Sequence, residues 1–153
     1  MKTIHTLTGI AVGLIGTAIS ANAQTIWDAG VDNDWDTTTA NWTTATYTEG
    51  DDVQFNGAGL GTVNITAAVS PNSVLVDSAS DYTFSGAGAI GGTGALTKSG
   101  SGTLTINTAN TYTGVTTINA GILRADVADV ASTSGALGNG GDITFTGGTL
   151  QYT

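Results

Sequence analysis

Gly94 to Leu123 reads GALTKSGSGTLTINTANTYTGVTTINAGIL, and this stretch decides the fold. Leu104 and Ile106 alternate with Thr103, Thr105 and Asn107, so a strand here buries one face and turns hydroxyls outward. Gly100 and Gly102 precede that run, and Asn110 and Gly114 follow it. These residue types tolerate the positive φ that sharp corners often require. Val115 to Ile118 and Ile122 to Leu123 predict two more short strands, with Ala120 and Gly121 turning between them. No window has a helical period. Short strands cut by glycine and asparagine describe one wound strand, not a sheet of long hairpins.

The same residues resemble the autotransporter-associated β-strand repeat, also called the passenger-associated transport repeat. That family opens on Leu-Thr-Lys-x-Gly-x-Gly-Thr-Leu, centres on Asn-Thr-Tyr-x-Gly and closes on Asn-Ala-Gly-x-Leu. The three parts stand at Leu96–Leu104, Asn110–Gly114 and Asn119–Leu123. Each alone is weak, but the joint match is specific. The resemblance implies an all-β fold, a right-handed parallel β-helix (β-solenoid), in a protein exported to the surface of a Gram-negative bacterium. It implies no catalytic residues and no cofactor, because the motif is a folding unit. It also implies that the repeat helps a passenger fold and cross the outer membrane, with the export machinery as a partner. A classical autotransporter ends in a membrane barrel of long, aromatic-girdled strands. No such strands follow here, and Gly147 to Thr153 has the form of a rung's opening. The solenoid is therefore expected to be incomplete at its C-terminus.

Upstream, Lys2, an apolar run from Ile10 to Ile19 and the small residues Ala21-Asn22-Ala23 have the form of a signal peptide. Residues 1–23 are expected to be removed between Ala23 and Gln24. The apolar run is short for a membrane anchor, and no second one follows, so no membrane span is expected in the mature chain. Loss of Lys2 takes the formal charge from −9 to −10, leaving Lys98 and Arg124 against twelve acids. Such a chain repels nucleic acid and anionic lipid. It has no cysteine, so it must hold together without disulfides, as rungs paired through their backbones can. The 23 glycines and 29 threonines would suit a low-complexity chain. Glycine has no period of three, however, and the apolar residues alternate in short runs, which disordered chains lack.

Thr25 to Asp52 differs in composition. It holds Trp27, Trp35 and Trp42, together with Asp28, Asp32, Asp34, Asp36, Glu49, Asp51 and Asp52, and no base. Residues 24–55 are expected to form an aromatic cap over the first rung, since terminal repeats are atypical and an open end needs shielding. The alternative is a platform on which the three indoles stack sugar rings, binding a surface polysaccharide or host surface. Residues 56–153 are expected to form the solenoid, with one full repeat at about 94–123. Further strands are expected at 52–55, 62–66, 73–76, 82–84, 143–145 and 150–152, while Val127 to Thr133 suits a helical turn or a loop. DYTFSGA at 81–87 echoes DITFTGG at 142–148, 61 residues on, which suggests about three turns of roughly twenty residues. The inward candidates are Val63, Ile65, Val74, Val76, Phe84, Leu96, Leu104, Ile106, Ile118, Leu123, Ile143, Phe145 and Leu150.

Chemistry is sparse. The mature chain has neither histidine nor cysteine, so triad, thiol and zinc chemistry lack their residues. A β-helix enzyme acting on polysaccharide would need paired carboxylates, but Asp51 and Asp52 are adjacent and point to opposite faces of a strand. Asp77 and Asp81 flank a turn, where aspartate is common for backbone reasons. Asp32, Asp34 and Asp36 resemble the start of a calcium loop, yet Thr37 and Thr43 stand where that loop needs Gly and Glu. No metal site is therefore assigned, and no enzyme activity is expected. Thr103-x-Thr105, Thr111-x-Thr113 and Thr144-x-Thr146 place paired hydroxyls outward, but at no fixed spacing, as threonine on any exposed strand would.

Overall fold

The structure, a computed structural model, describes residues 24–59 and 61–153. The expected signal peptide, Ala23 included, lies outside the described residues. The chain alternates between two sheets of parallel strands. One contains β1 (Gln24–Ile26), β3 (Asp52–Phe55), β5 (Ser73–Val76), β7 (Ala95–Lys98), β9 (Thr116–Ile118) and β11 (Ile143–Phe145), in that spatial order. The other contains β2 (Asp34–Trp35), β4 (Thr62–Ile65), β6 (Tyr82–Ser85), β8 (Thr103–Ile106), β10 (Ile122–Ala125) and β12 (Thr149–Tyr152), also in chain order. Each strand pairs with the strand one full turn away. That is a β-solenoid, and no helix occurs among the described residues.

Register explains why strands of only four residues suffice. Thr25, Val53, Val74, Leu96, Thr116 and Ile143 form one column, so successive turns take 28, 21, 22, 20 and 27 residues. In the second sheet Tyr82, Leu104, Leu123 and Leu150 stack likewise. Alternation places Val53, Phe55, Val63, Ile65, Phe84, Leu104, Ile106 and Leu123 inside, where side chains from the two sheets meet in one thin core. A third side is closed by short bridges, Val69 to Ile90 and Asn110 to Gly135. Val69, Ile90, Tyr112 and Ala136 fill it from within.

Three expectations need correction. The echo between 81–87 and 142–148 is not a structural repeat, because β6 and β11 lie in different sheets. Tyr82 stacks in the column of Leu150 instead, since the last turn is lengthened by residues 126–141 and the echo falls seven residues short, on the preceding strand. Ile143 and Phe145 continue the core columns but stand 43% and 53% exposed, as their strand has a neighbour on one side only. Gly102, Asn110 and Gly114 do not have positive φ, whereas Gly100 does, at 53°. Gly114 is required by proximity: a Cβ there would lie 2.2 Å from the Gly94 carbonyl oxygen of the neighbouring turn. The segment Val127 to Thr133 is a loop closed by a Val130–Ser134 bridge.

Outward columns also differ from the spacing seen in the sequence. Thr62, Thr83 and Thr105 stack in one sheet, and Thr97, Thr117 and Thr144 in the other. Unequal turn lengths hide these ladders from any fixed-period search.

Candidate functional site

The repeat motif is the best-defined constellation, and its three parts occupy one corner, the third side that follows it, and the same corner one turn on. At the first corner Lys98 points inward and is buried, and its Nζ donates to the carbonyls of Ser99 (2.5 Å), Gly100 (2.8 Å) and Ala120 (3.4 Å). Burial pushes the Lys98 pKa below its ordinary value, while Asp77 and Asp81 pull it back. Gly102 lies against the preceding turn, where a Cβ would meet the Ser80 carbonyl oxygen at 2.4 Å. The opening Lys-x-Gly-x-Gly is thus a corner that packs on the one below, and Asn119–Gly121 is the matching corner above.

The Asn-Thr-Tyr-x-Gly part builds the third side. Asn110 is buried; its Oδ1 accepts from the Ile90 N–H (2.8 Å) and the Thr108 hydroxyl (3.0 Å), and its Nδ2 donates to the Ala136 carbonyl (3.0 Å). One side chain therefore joins three successive turns. Tyr112 is buried beside it, with its hydroxyl 2.8 Å from that of Thr116. Burial raises the Tyr112 pKa to about 12, against a smaller lowering by Thr116. A raised tyrosine contributes stability that is complete below its unfolded value near 10 and is lost as pH climbs through about 12. Alkaline titration followed by circular dichroism is expected to show destabilisation across that window, and Tyr112→Phe to reduce the slope without abolishing it, since Tyr47, Tyr82 and Tyr152 are raised as well. An unchanged slope in Tyr112→Phe would assign the titration elsewhere.

The three tryptophans form no open platform. Trp27, Trp35 and Trp42 are 0%, 0% and 2% exposed. Trp42 meets Trp27 and Trp35 edge to face at 5.1 and 5.4 Å, and Phe55 lies 5.5–5.8 Å from all three. Their faces are covered by one another, so none is presented to a sugar ring. They were drawn inward because Trp27 and Trp35 sit at the inward positions of their columns, above Phe55 and Ile65. The chain returns over β1 to reach them: Thr43 N–H donates to the Ile26 carbonyl (2.9 Å), and Trp27 and Trp42 form an antiparallel bridge. Asn41 organises this return, accepting from the Val31 and Asp32 N–H groups at 2.9 Å and donating to Asp32 Oδ1 (2.6 Å) and the Asp34 carbonyl (2.9 Å).

The acids are distributed among local roles. Asp34 Oδ1 accepts from Asn64 Nδ2 (2.6 Å), and Asp52 Oδ1 from Asn72 Nδ2 (2.7 Å) and the Ser73 hydroxyl (2.6 Å). Asp81 Oδ1 accepts from the Thr103 N–H (2.7 Å), and Glu49 Oε2 from the Tyr47 hydroxyl (2.8 Å) and the Ser70 N–H (2.5 Å). Burial alone would raise the Asp36 carboxyl, but the backbone and hydroxyl donors of Thr38 and Thr39 outweigh it and hold it below the usual value. Among the described residues no three acids converge in metal-binding geometry. Two open grooves, of about 220 Å³ beside Asp129, Ser132 and Asn139 and about 240 Å³ beside Thr44, Thr46 and Asp51, hold no paired carboxylates at catalytic spacing.

Lys98, Asn41 and Asn110 were not identifiable as core residues by hydropathy. The signal for Lys98 was its place in the alternation: it stands two residues beyond Leu96, at an inward position. Asn110 had only the family pattern to mark it.

A solenoid whose motif residues tie turn to turn is the class of protein that the geometry defines. Residues 96–125 match the family model of the passenger-associated-transport-repeat. The chain is also 46% identical over 66 residues to the "Adhesin BmaC autotransporter" of Brucella suis biovar 1 (strain 1330). That match spans 43% of this chain and 2% of the relative's length. No solved structure matches.

Proposed function

We propose that the chain is an exported structural passenger segment, stalk-like or adhesin-like, at the surface of a Gram-negative bacterium. The observation carrying this reading is that the repeat's Lys, Asn, Tyr and Gly positions are spent on joining successive turns, as a folding unit requires. In this reading residues 24–55 cap the first turn, residues 56–153 form the rod, and the repeat aids folding during passage through the export machinery. The role is non-enzymatic: the carboxylates serve as acceptors for turns and strand edges, and the adhesin name of the similar protein is in keeping with it. A host surface or polysaccharide would meet the outward threonine ladders, not the buried indoles.

The test is export of the full chain from a Gram-negative host, with intact-mass analysis and protease shaving of whole cells. Material beginning at Gln24 and accessible to protease is expected. Exported material that retains Lys2 and His5, or a chain confined to the cytoplasm, would overturn the proposal.

A further inference from the structure

Lys98 is the only lysine in residues 24–153, and it occupies a core column between Val76 and Ile118. Its stem fills space that an aliphatic residue fills in the neighbouring turns, so volume alone does not call for an amine. Two of its acceptors, the Ser99 and Gly100 carbonyls, belong to its own corner. The third, the Ala120 carbonyl, belongs to the next turn. Gly121 leaves room for this approach, since a Cβ there would lie 2.8 Å from Nζ.

Parallel turns built from Thr, Ile, Leu and Val are poorly protected against sliding. A slip of two residues keeps every apolar side chain inside, because the pleat repeats at two. A buried ammonium removes that degeneracy. In the observed register it meets three carbonyls; in a register displaced by two, β9 would cover it without bringing the Ala120 carbonyl into reach. The displaced register would keep the Ser99 and Gly100 acceptors and lose the one from the next turn. A buried ammonium short of an acceptor is disfavoured, and single buried polar groups fix register in this way elsewhere.

We propose that Lys98 is the register key of the solenoid, selecting how the turn carrying β9 and β10 docks on the turn carrying β7 and β8. This holds whether or not the chain is exported. The key sets which pairing forms, and an apolar residue of the same length would keep the packing while losing the choice.

Cross-linking reads register directly. Thr97 faces Thr117 across the β7–β9 pair on the outward surface, and Asn119 is the partner that a two-residue slip would bring. The double variants Thr97→Cys/Thr117→Cys and Thr97→Cys/Asn119→Cys are compared by a short bifunctional thiol reagent, with Lys98 and with Lys98→Met. With Lys98 the first pair is expected to react at least roughly tenfold faster than the second, and Lys98→Met to bring the two rates together while the melting temperature stays level or rises. An unchanged rate ratio in Lys98→Met would overturn the proposal. So would failure of Lys98→Met to fold, since the ammonium would then supply stability instead of choosing register. The native chain gives a separate check: acylation of Lys98 at the rate of a free lysine would mean the key is not seated, and would also overturn it.

Discussion

Trp35→Ala is expected to cost about 3–5 kcal/mol of folding stability, the range for removing a buried aromatic side chain. Trp35 is wholly buried and lies 5.4–5.9 Å, centroid to centroid, from Trp42, Tyr47, Phe55 and Phe84. These rings come from the first turn, the return over it and the two turns beneath, so truncation opens a cavity that several elements share. The indole Nε1–H finds no partner, which is itself a penalty. Trp35→Phe removes that donor and keeps most of the ring. It is therefore expected to cost less than about 1.5 kcal/mol. Urea melts of residues 24–153 measure both. A Trp35→Ala cost below about 1 kcal/mol, the ordinary size of a point-mutant effect, would show that the cluster does not hold the first turn.

Leu104→Ala is expected to cost about 2–5 kcal/mol, whereas Thr105→Ala should stay within about 0.5 kcal/mol. The two residues are neighbours on β8, yet Leu104 is fully buried between Tyr82 and Leu123, and Thr105 stands in an outward ladder. The contrast isolates burial from strand propensity, which favours threonine at both positions. A larger loss from the threonine change would reverse the assignment of faces.

Much of this fold was legible because period-two alternation needs only local sequence. Leu104 and Ile106, or Val74 and Val76, declare their faces within four residues. Turn length is not local in the same sense. The 126–141 loop adds residues to the last turn without disturbing any strand, so the phrase repeated at 81–87 and 142–148 looked like a period and falls in opposite sheets. The same irregularity concealed the threonine ladders. Polar core residues were hidden for another reason. Lys98, Asn41 and Asn110 are inside because backbone carbonyls and N–H groups await them there, and those groups become neighbours only after the coil closes. The tryptophans sat between two physical outcomes in the sequence, stacking on a ligand or on one another, and composition could not choose. Register chose, by placing Trp27 and Trp35 on the inward side of their columns.

The return of residues 41–45 over β1 bears on how copies of the molecule behave at high concentration. Stacked parallel strands rich in threonine share their geometry with cross-β fibres, in which each added copy uses the edge left by the last. A head-to-tail fibre needs two acceptor edges per copy, one at each end. Here the outer edge of β1 is already occupied, since the Ile26 carbonyl takes the Thr43 N–H and the Ile26 N–H goes to the Thr43 hydroxyl at 3.1 Å. An incoming strand would have to displace that antiparallel segment and pull Trp42 from beneath it. Addition of a strand to β1 is thereby opposed, and the aromatic residues that fill the core also hold the covering segment in place.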